Sequence, residues 1–212
     1  MISQLELTST SGHLNFRLSA LRFSQTNIEN TFSKKNNKTL GETLQSTRYK
    51  KLNAHFEDLS NESMELSLGV FLLSLKSRED TLYKKFLNPY GDEVFCQFQM
   101  VEESHKSLKG LYLYCCDDEV MYIGRSLEPF GKRVDQGYGK IHPKNCYLDG
   151  QSTNCHINSL IAAHQSSITF FVCPLLDDET IKQAERELIE NLKPAWNIAL
   201  KPDQRQRKGQ HE

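Results

Sequence analysis

Tyr112 and Tyr122 sit in two short β-prone runs, Gly110-Leu111-Tyr112-Leu113-Tyr114 and Val120-Met121-Tyr122-Ile123-Gly124, separated by the polar Cys115-Cys116-Asp117-Asp118-Glu119. Such a pair of runs predicts a hairpin. In its first arm Tyr112 and Tyr114 alternate with Leu111 and Leu113, and in the second Tyr122 opposes Met121 and Ile123. The hairpin therefore brings Tyr112 and Tyr122 together on one face, with glycines where a backbone or ligand comes close. Two phenols on a glycine-edged surface suit a polar ligand. Further along, Pro129 can open a helix on which Phe130 and Val134, four apart, face the sheet and Arg133 points toward the tyrosines. A third group stands out in the C-terminal helix predicted after Asp177. There Ile181, Ala184, Leu188, Ile189 and Leu192 form an apolar stripe with Glu185 inside it, whereas Glu187 and Glu190 point away. A carboxylate on such a stripe costs free energy unless it is paired or holds a metal. A boundary glutamate reaching solvent is the simpler alternative.

Together these motifs resemble the GIY-YIG nuclease superfamily. Gly110-Leu111-Tyr112 stands for the first half of that name, and Tyr122-Ile123-Gly124 matches the second letter for letter. Arg133 occupies the place of the family's phosphate-binding arginine, one residue further from the second tripeptide than in compact excision-repair members, which leaves Lys132 as a rival. Glu185-Arg186-Glu187-Leu188-Ile189 resembles the helix whose glutamate binds the metal. The ending Lys193-Pro194-Ala195-Trp196-Asn197 resembles the restriction-enzyme branch, with Asn197 on the family's asparagine. The resemblance covers roughly residues 110–200. It implies an α/β (α+β) domain, a small antiparallel β-sheet flanked by helices. It also implies metal-dependent hydrolysis of DNA phosphodiester bonds by Tyr112, Tyr122, Arg133, Glu185 and Asn197, with Mg²⁺ (or Mn²⁺) on Glu185.

Phosphodiester cleavage needs a polarised phosphoryl oxygen, a stabilised leaving oxygen and an activated water. Glu185 offers a hard oxygen ligand, and Arg133 offers guanidinium donors for the non-bridging oxygens. The resemblance makes Tyr112 the group that orients or deprotonates the water, Tyr122 a positioning group and Asn197 a brace. A free phenol has a pKa of about 10 and is a poor base at neutral pH, so cations such as Arg125 or Lys132 are required beside it.

The rest of the chain must position these residues. Its 212 residues suffice for one larger or two small domains, and 38% hydrophobic with 25% charged residues is an ordinary soluble composition. No apolar run approaches the roughly 20 residues that span a bilayer. The start, Met1-Ile2-Ser3-Gln4-Leu5-Glu6, lacks the marks of a secretory signal, and six cysteines without one point to reduced thiols and a cytoplasmic location. A formal net charge of −1 gives no global attraction to nucleic acid, so double-stranded DNA must be held by local patches.

A three-part organisation is expected: an N-terminal region 1–108, a nuclease domain 109–200 with an insertion at about 137–165, and a basic tail 201–212. Alternation at Leu14, Phe16 and Leu18 predicts one or two strands within 1–23, followed by a polar loop over 24–39. The remainder of the N-terminal region reads as mostly helical: a run carrying Leu40, Leu44, Leu52, Phe56 and Leu59, the apolar stretch 64–75, and a helix over 78–87 stopped by Asn88-Pro89. A strand is predicted from Val94 to Met100. The cluster Lys34, Lys35, Lys38, Arg48, Lys50 and Lys51 is either a phosphate-contacting surface or a solvated face. The apolar 64–75 segment serves core packing or a homodimer interface.

The insertion departs from compact relatives. Some restriction relatives carry a histidine just after the arginine, where this chain has Gly137 and Tyr138. Asn154 is a candidate helix cap. The candidate DNA contacts are Arg125, Lys132, Tyr138, Lys140, Lys144 and Asn154, with Asn145, Gln151 and Asn158 as further polar readers. His142, Cys146, Cys155, His156 and His164 raise the question of zinc, although no close-paired C-x-x-C element is present. A type II restriction enzyme is the leading expectation. The alternatives are a repair or mobile-element (homing-type) nuclease, or a catalytically weak DNA-binding module of the same fold.

Overall fold

In the segment Gly12–Leu18 the side chains alternate between exposed and buried, with Leu14 and Phe16 inside, and this pattern gives the strand one face for the core of the main sheet. The computed structural model describes residues 3–10, 12–57 and 59–198. The strands are β1 (Gln4–Ser9), β2 (Gly12–Leu18), β3 (Leu21–Ile28), β4 (Phe95–Met100), β5 (Gly110–Cys116), β6 (Glu119–Ser126) and β7 (Ile168–Pro174). The α-helices are α1 (Leu40–Leu44), α2 (Asn61–Glu65), α3 (Leu68–Ser77), α4 (Glu103–Lys106), α5 (Phe130–Arg133), α6 (Ser152–Ala163) and α7 (Asp178–Leu192). The chain is therefore a mixed α+β protein with an antiparallel sheet. The basic tail lies outside the described residues.

Two compact units are present, and neither is continuous in sequence. The first takes the described residues up to 21, then 100–133 and 166–198; the second takes 22–99 and 134–165. The expected cut at 108/109 is thus replaced by an interleaved arrangement. The expected insertion belongs with residues 22–99 rather than with the strands that flank it in sequence. The expectation of a mostly helical N-terminal region also needs correction. Residues 4–28 hold three strands, as the alternation over 1–23 suggested for the first part, and helical structure begins only after them.

The first unit is built on a five-stranded antiparallel sheet in the order β1-β2-β7-β5-β6. Strand β5 lies between β7 and β6, and all seven of its residues are buried. One face presents Leu111, Leu113, Cys115, Ile123, Phe171 and Cys173 to Ile181, Ala184, Leu188 and Ile189 of α7. That packing is the unit's core. Asp177 starts α7 by accepting a hydrogen bond from the Thr180 amide at 2.7 Å, and Lys193, in the left-handed conformation (φ 48°), ends it before Pro194. The opposite face of β5 carries Tyr112 and Tyr114 among Tyr122, Phe130 and Phe170.

The second unit has its own core, in which Phe32, Leu40, Leu72, Phe86, Phe95, Cys146 and Tyr147 are buried, beside the β3–β4 pair. The long helical run expected from Leu40 to Leu59 is broken into α1 and a 3-10 turn over Lys50–His55. A period of four survives the break because Leu40, Leu44 and Phe56 all reach this core. A capping box starts α1, with Thr39 accepting from the Glu42 amide and Glu42 accepting from the Thr39 amide. The apolar 64–75 stretch is divided: Met64 and Glu65 end α2, and α3 begins at Leu68, with Leu68, Phe71, Leu72 and Leu75 as core residues. The predicted 78–87 helix is a shorter 3-10 segment, Thr81–Phe86.

Candidate active site

Register places the tyrosines. Tyr114 lies directly opposite Tyr122 and Tyr112 opposite Gly124, so Tyr112 and Tyr122 are diagonal neighbours with ring centroids 6.2 Å apart. The expected pairing on one face is present, one step off the direct register. Gly124 explains how it fits. A Cβ built there would come within 2.4 Å of the Tyr112 ring, so the phenol occupies space that any other residue would fill.

Arg133 closes α5. Its Nε donates to the Tyr112 hydroxyl oxygen at 3.2 Å, and the Phe130 ring stands edge-on to Tyr112 with centroids 6.3 Å apart. Lys132, the rival, instead pairs with Glu128 one turn earlier. Arg125 is next after Gly124 on β6, and its guanidinium pairs with the Glu185 carboxylate. Glu185 keeps only 15% of its side chain exposed. Burial pushes its carboxyl up from the ordinary glutamate value, and the Arg125 and Arg133 charges work against that rise.

Tyr112, Tyr122, Arg125, Arg133, Glu185 and Asn197 line one cavity of about 420 Å³, together with Arg186 and Ile189. Three guanidinium groups thus face one carboxylate, an excess of positive charge suited to a phosphate. All five residues expected from the resemblance to be catalytic come together here. Asn197 has a distinct part in it: the Ile123 amide donates to its Oδ1 at 2.9 Å, and its Nδ2 donates to the Ile123 carbonyl at 2.8 Å. With the Trp196 amide donating to the Met121 carbonyl at 2.9 Å, the chain after α7 covers the open edge of β6. Asn197 therefore fastens the chain after α7 to β6 at Ile123.

Sequence reasoning missed Arg186, whose signal was its place beside Glu185. It also missed the partner of Glu187, which accepts from the Thr10 amide at 2.9 Å and so ties α7 to the β1–β2 hairpin. No sequence pattern pointed to that contact.

The other expected DNA contacts belong to the second unit. Lys140 and Lys144 are exposed there. Tyr138 is fully buried, and its carbonyl accepts from Asn158 at 2.6 Å, so its side chain is part of the packing rather than a contact surface. Asn154 is also buried and its Nδ2 donates to the Gln151 side-chain oxygen at 2.7 Å; the N-cap position of α6 is Gln151, whose side chain makes no capping bond, and Asn154 lies inside the helix. Asn158 is a staple rather than a reader. It accepts from the Cys96 amide at 3.0 Å and donates to the Cys96 carbonyl at 2.8 Å.

Mg²⁺ ordinarily takes one or two carboxylates, with waters and phosphate oxygens completing its shell. Glu185 is the one carboxylate among the described residues that line the cavity, and Arg125 occupies one of its two oxygens. That donor set fits an ion shared with a substrate phosphate, not one held by the protein alone. Among the described residues no three His, Cys, Asp or Glu side chains gather as a metal-holding group. The candidate zinc residues Cys146 and Cys155 are buried in the second unit's core, where the hydrogen bond between their thiols and burial push Cys146 well up from the usual thiol range. No helix among the described residues is long and apolar enough to cross a membrane. No family model matches the chain, and no curated protein and no solved structure matches it.

Proposed function

We propose that this chain is a metal-dependent DNA endonuclease of the GIY-YIG kind. One observation carries the reading: Tyr112, Tyr122, Arg133 and Glu185, scattered over more than seventy positions of sequence, line a single cavity rich in guanidinium groups.

The scissile phosphate enters beside Arg133, whose guanidinium binds a non-bridging oxygen where charge builds as water attacks. Tyr112, held by Arg133, orients the attacking water, whose proton passes to solvent as the new O–P bond forms. The bond to the 3′ oxygen breaks, and that oxygen takes a proton from solvent. Tyr122 orients the water or the phosphate, and Asn197 keeps β6 in register beneath them. Glu185 is the residue that would hold Mg²⁺ or Mn²⁺. Once bound, the ion supplies Lewis-acid polarisation of the phosphoryl oxygen and charge for the leaving oxygen. Restriction is the preferred branch because Lys193-Pro194-Ala195-Trp196-Asn197 resembles that branch's ending.

A second reading, a weakly catalytic DNA-binding module, draws on two observations: Tyr112 is fully buried and Arg125 already engages Glu185. Incubating the protein with plasmid and Mg²⁺ separates the readings. Discrete fragments, abolished in Glu185→Gln, support a restriction nuclease, whereas cutting confined to branched or damaged duplexes points to a repair role. Binding without cutting supports the module, and cleavage that persists in Glu185→Gln overturns the site.

A further inference from the structure

Two stretches of the second unit are basic without compensation. Residues 31–41 hold Lys34, Lys35 and Lys38 and no carboxylate; residues 136–148 hold Lys140 and Lys144 and again none. The fold brings these stretches together. The Tyr147 hydroxyl donates to the Phe32 carbonyl at 2.9 Å, and the Lys35 ammonium lies over the Tyr147 ring, 4.2 Å from its centroid. Lys34 and Lys140 line the same cavity, of about 160 Å³. Burial lowers Lys35 from the ordinary lysine value; Asp149 opposes this, while Lys38 and Lys144 are close enough to add to it.

None of the five lysines makes an ion pair among the described residues. Asp149, the carboxylate nearest in effect to Lys35, also accepts from the Tyr49 hydroxyl at 2.9 Å. The Thr31 hydroxyl, buried at the wall of the cavity shared by Lys34 and Lys140, has no hydrogen-bond partner among the described residues. A buried donor left unmade is costly, and an acceptor oxygen at that wall would satisfy it. Gathered like charges repel unless an anion lies across them.

We propose that the surface formed by Lys34, Lys35, Lys38, Lys140 and Lys144 is a phosphate-contacting face for duplex DNA, separate from the cavity that contains Glu185. The choice of DNA among polyanions rests in part on the nuclease reading. The choice of duplex rests on the side chains themselves. Single strands are held by bases stacking on exposed aromatic rings, and the aromatic residues at this face, Phe32, Phe95 and Tyr147, are all buried to 1% exposure or less. Backbone contact without stacking is the mode of a duplex.

The test measures binding of the full chain to a fluorescent 30-base-pair duplex in EDTA, across a salt series. The exposed lysines are replaced together, Lys34→Gln, Lys38→Gln, Lys140→Gln and Lys144→Gln. A control removes the same charge from the same unit through Lys50→Gln, Lys51→Gln, Lys84→Gln and Lys85→Gln. Each lost phosphate contact lowers the slope of log K against log salt by about 0.9. The first set, with four contacts removed, is expected to lose about 3.6 from that slope and more than tenfold in affinity at 0.1 M salt, while the control stays close to wild type. Equal losses in both sets, or no loss in the first, overturn the proposal. So does a first-set variant that binds duplex normally but no longer binds vesicles of anionic lipid. Cleavage is scored separately with plasmid and Mg²⁺. A chain that never cuts yet shows the set-specific slope keeps this face and loses the nuclease reading.

Discussion

Arg133 and Tyr112, 21 positions apart in sequence, are joined by a hydrogen bond of 3.2 Å from the guanidinium Nε to the phenol oxygen. The bond ties the proposed phosphate-binding group to the group proposed to orient the attacking water, so a change at either should be felt by both. Removing a single preorganised donor from a reacting oxygen costs about 10²–10³ in rate. Arg133→Ala and Tyr112→Phe are each expected to lose about that much in kcat for plasmid cleavage. The double variant should lose little more than either alone. Fully additive losses would show that the two side chains act independently.

Gly124 has no room for a side chain. A methyl group there would meet the Tyr112 ring at 2.4 Å, and overpacking of this sort typically costs about 1–3 kcal/mol. Gly124→Ala should lower the melting temperature and displace the phenol, abolishing cleavage. Adding Tyr112→Ala should cost less than the sum of the two single losses, because the space left by the ring accepts the methyl group, with activity still absent, as thermal melts and plasmid assays would read side by side.

Glu185 has its carboxyl raised by burial, so the folded protein binds its proton more tightly than the unfolded chain does. The stability it contributes is therefore full below the ordinary glutamate pKa and is lost as pH rises through the elevated one. Glu185→Gln should raise the unfolding midpoint at pH 8 and leave it nearly unchanged at pH 4. The proposed cleavage uses the ionised form, so its acid limb should lie above the ordinary glutamate range. Because Arg125 pulls the value down, Arg125→Gln should move that limb higher still, as pH–rate profiles or carboxyl NMR titration would show.

Asn197 donates to and accepts from Ile123 at the outer edge of β6. Asn197→Ala removes both bonds and leaves buried main-chain groups unmatched, a loss of about 1–3 kcal/mol. Denaturant unfolding should show it. The bared strand edge should also raise the rate of aggregation on heating, as light scattering would measure. Asn197→Asp keeps the acceptor but cannot donate to the carbonyl, and should recover only part of the loss.

Local pattern carried much of this structure. Alternation marked β2, the tyrosine hairpin and the face of α7, and periodicity alone separated Glu185 from Glu187 and Glu190. These features depend on neighbours one to four residues away. The interleaving of the two units was not legible, because it depends on β2 finding β7 and on residues 134–165 packing with residues 22–99. Asn158 read as an exposed polar residue because nothing adjacent shows that Cys96, far earlier in the chain, supplies its partners. Lys132 and Arg133 could not be ranked by spacing. Glu128, one helical turn before Lys132, takes that lysine out of the site.

The pairing of Leu18 with Phe171 joins residues about 150 positions apart. On a ribosome adding about 5–20 residues per second, β2 waits about 8–30 s with one hydrogen-bonding edge bare before β7 is made. During that interval the newborn hairpin is a target for holdase chaperones and for mispairing with a neighbouring nascent chain. The arrangement also implies that stopping translation before β7 yields no working half-protein, since the sheet would lack the strand that joins its two sides.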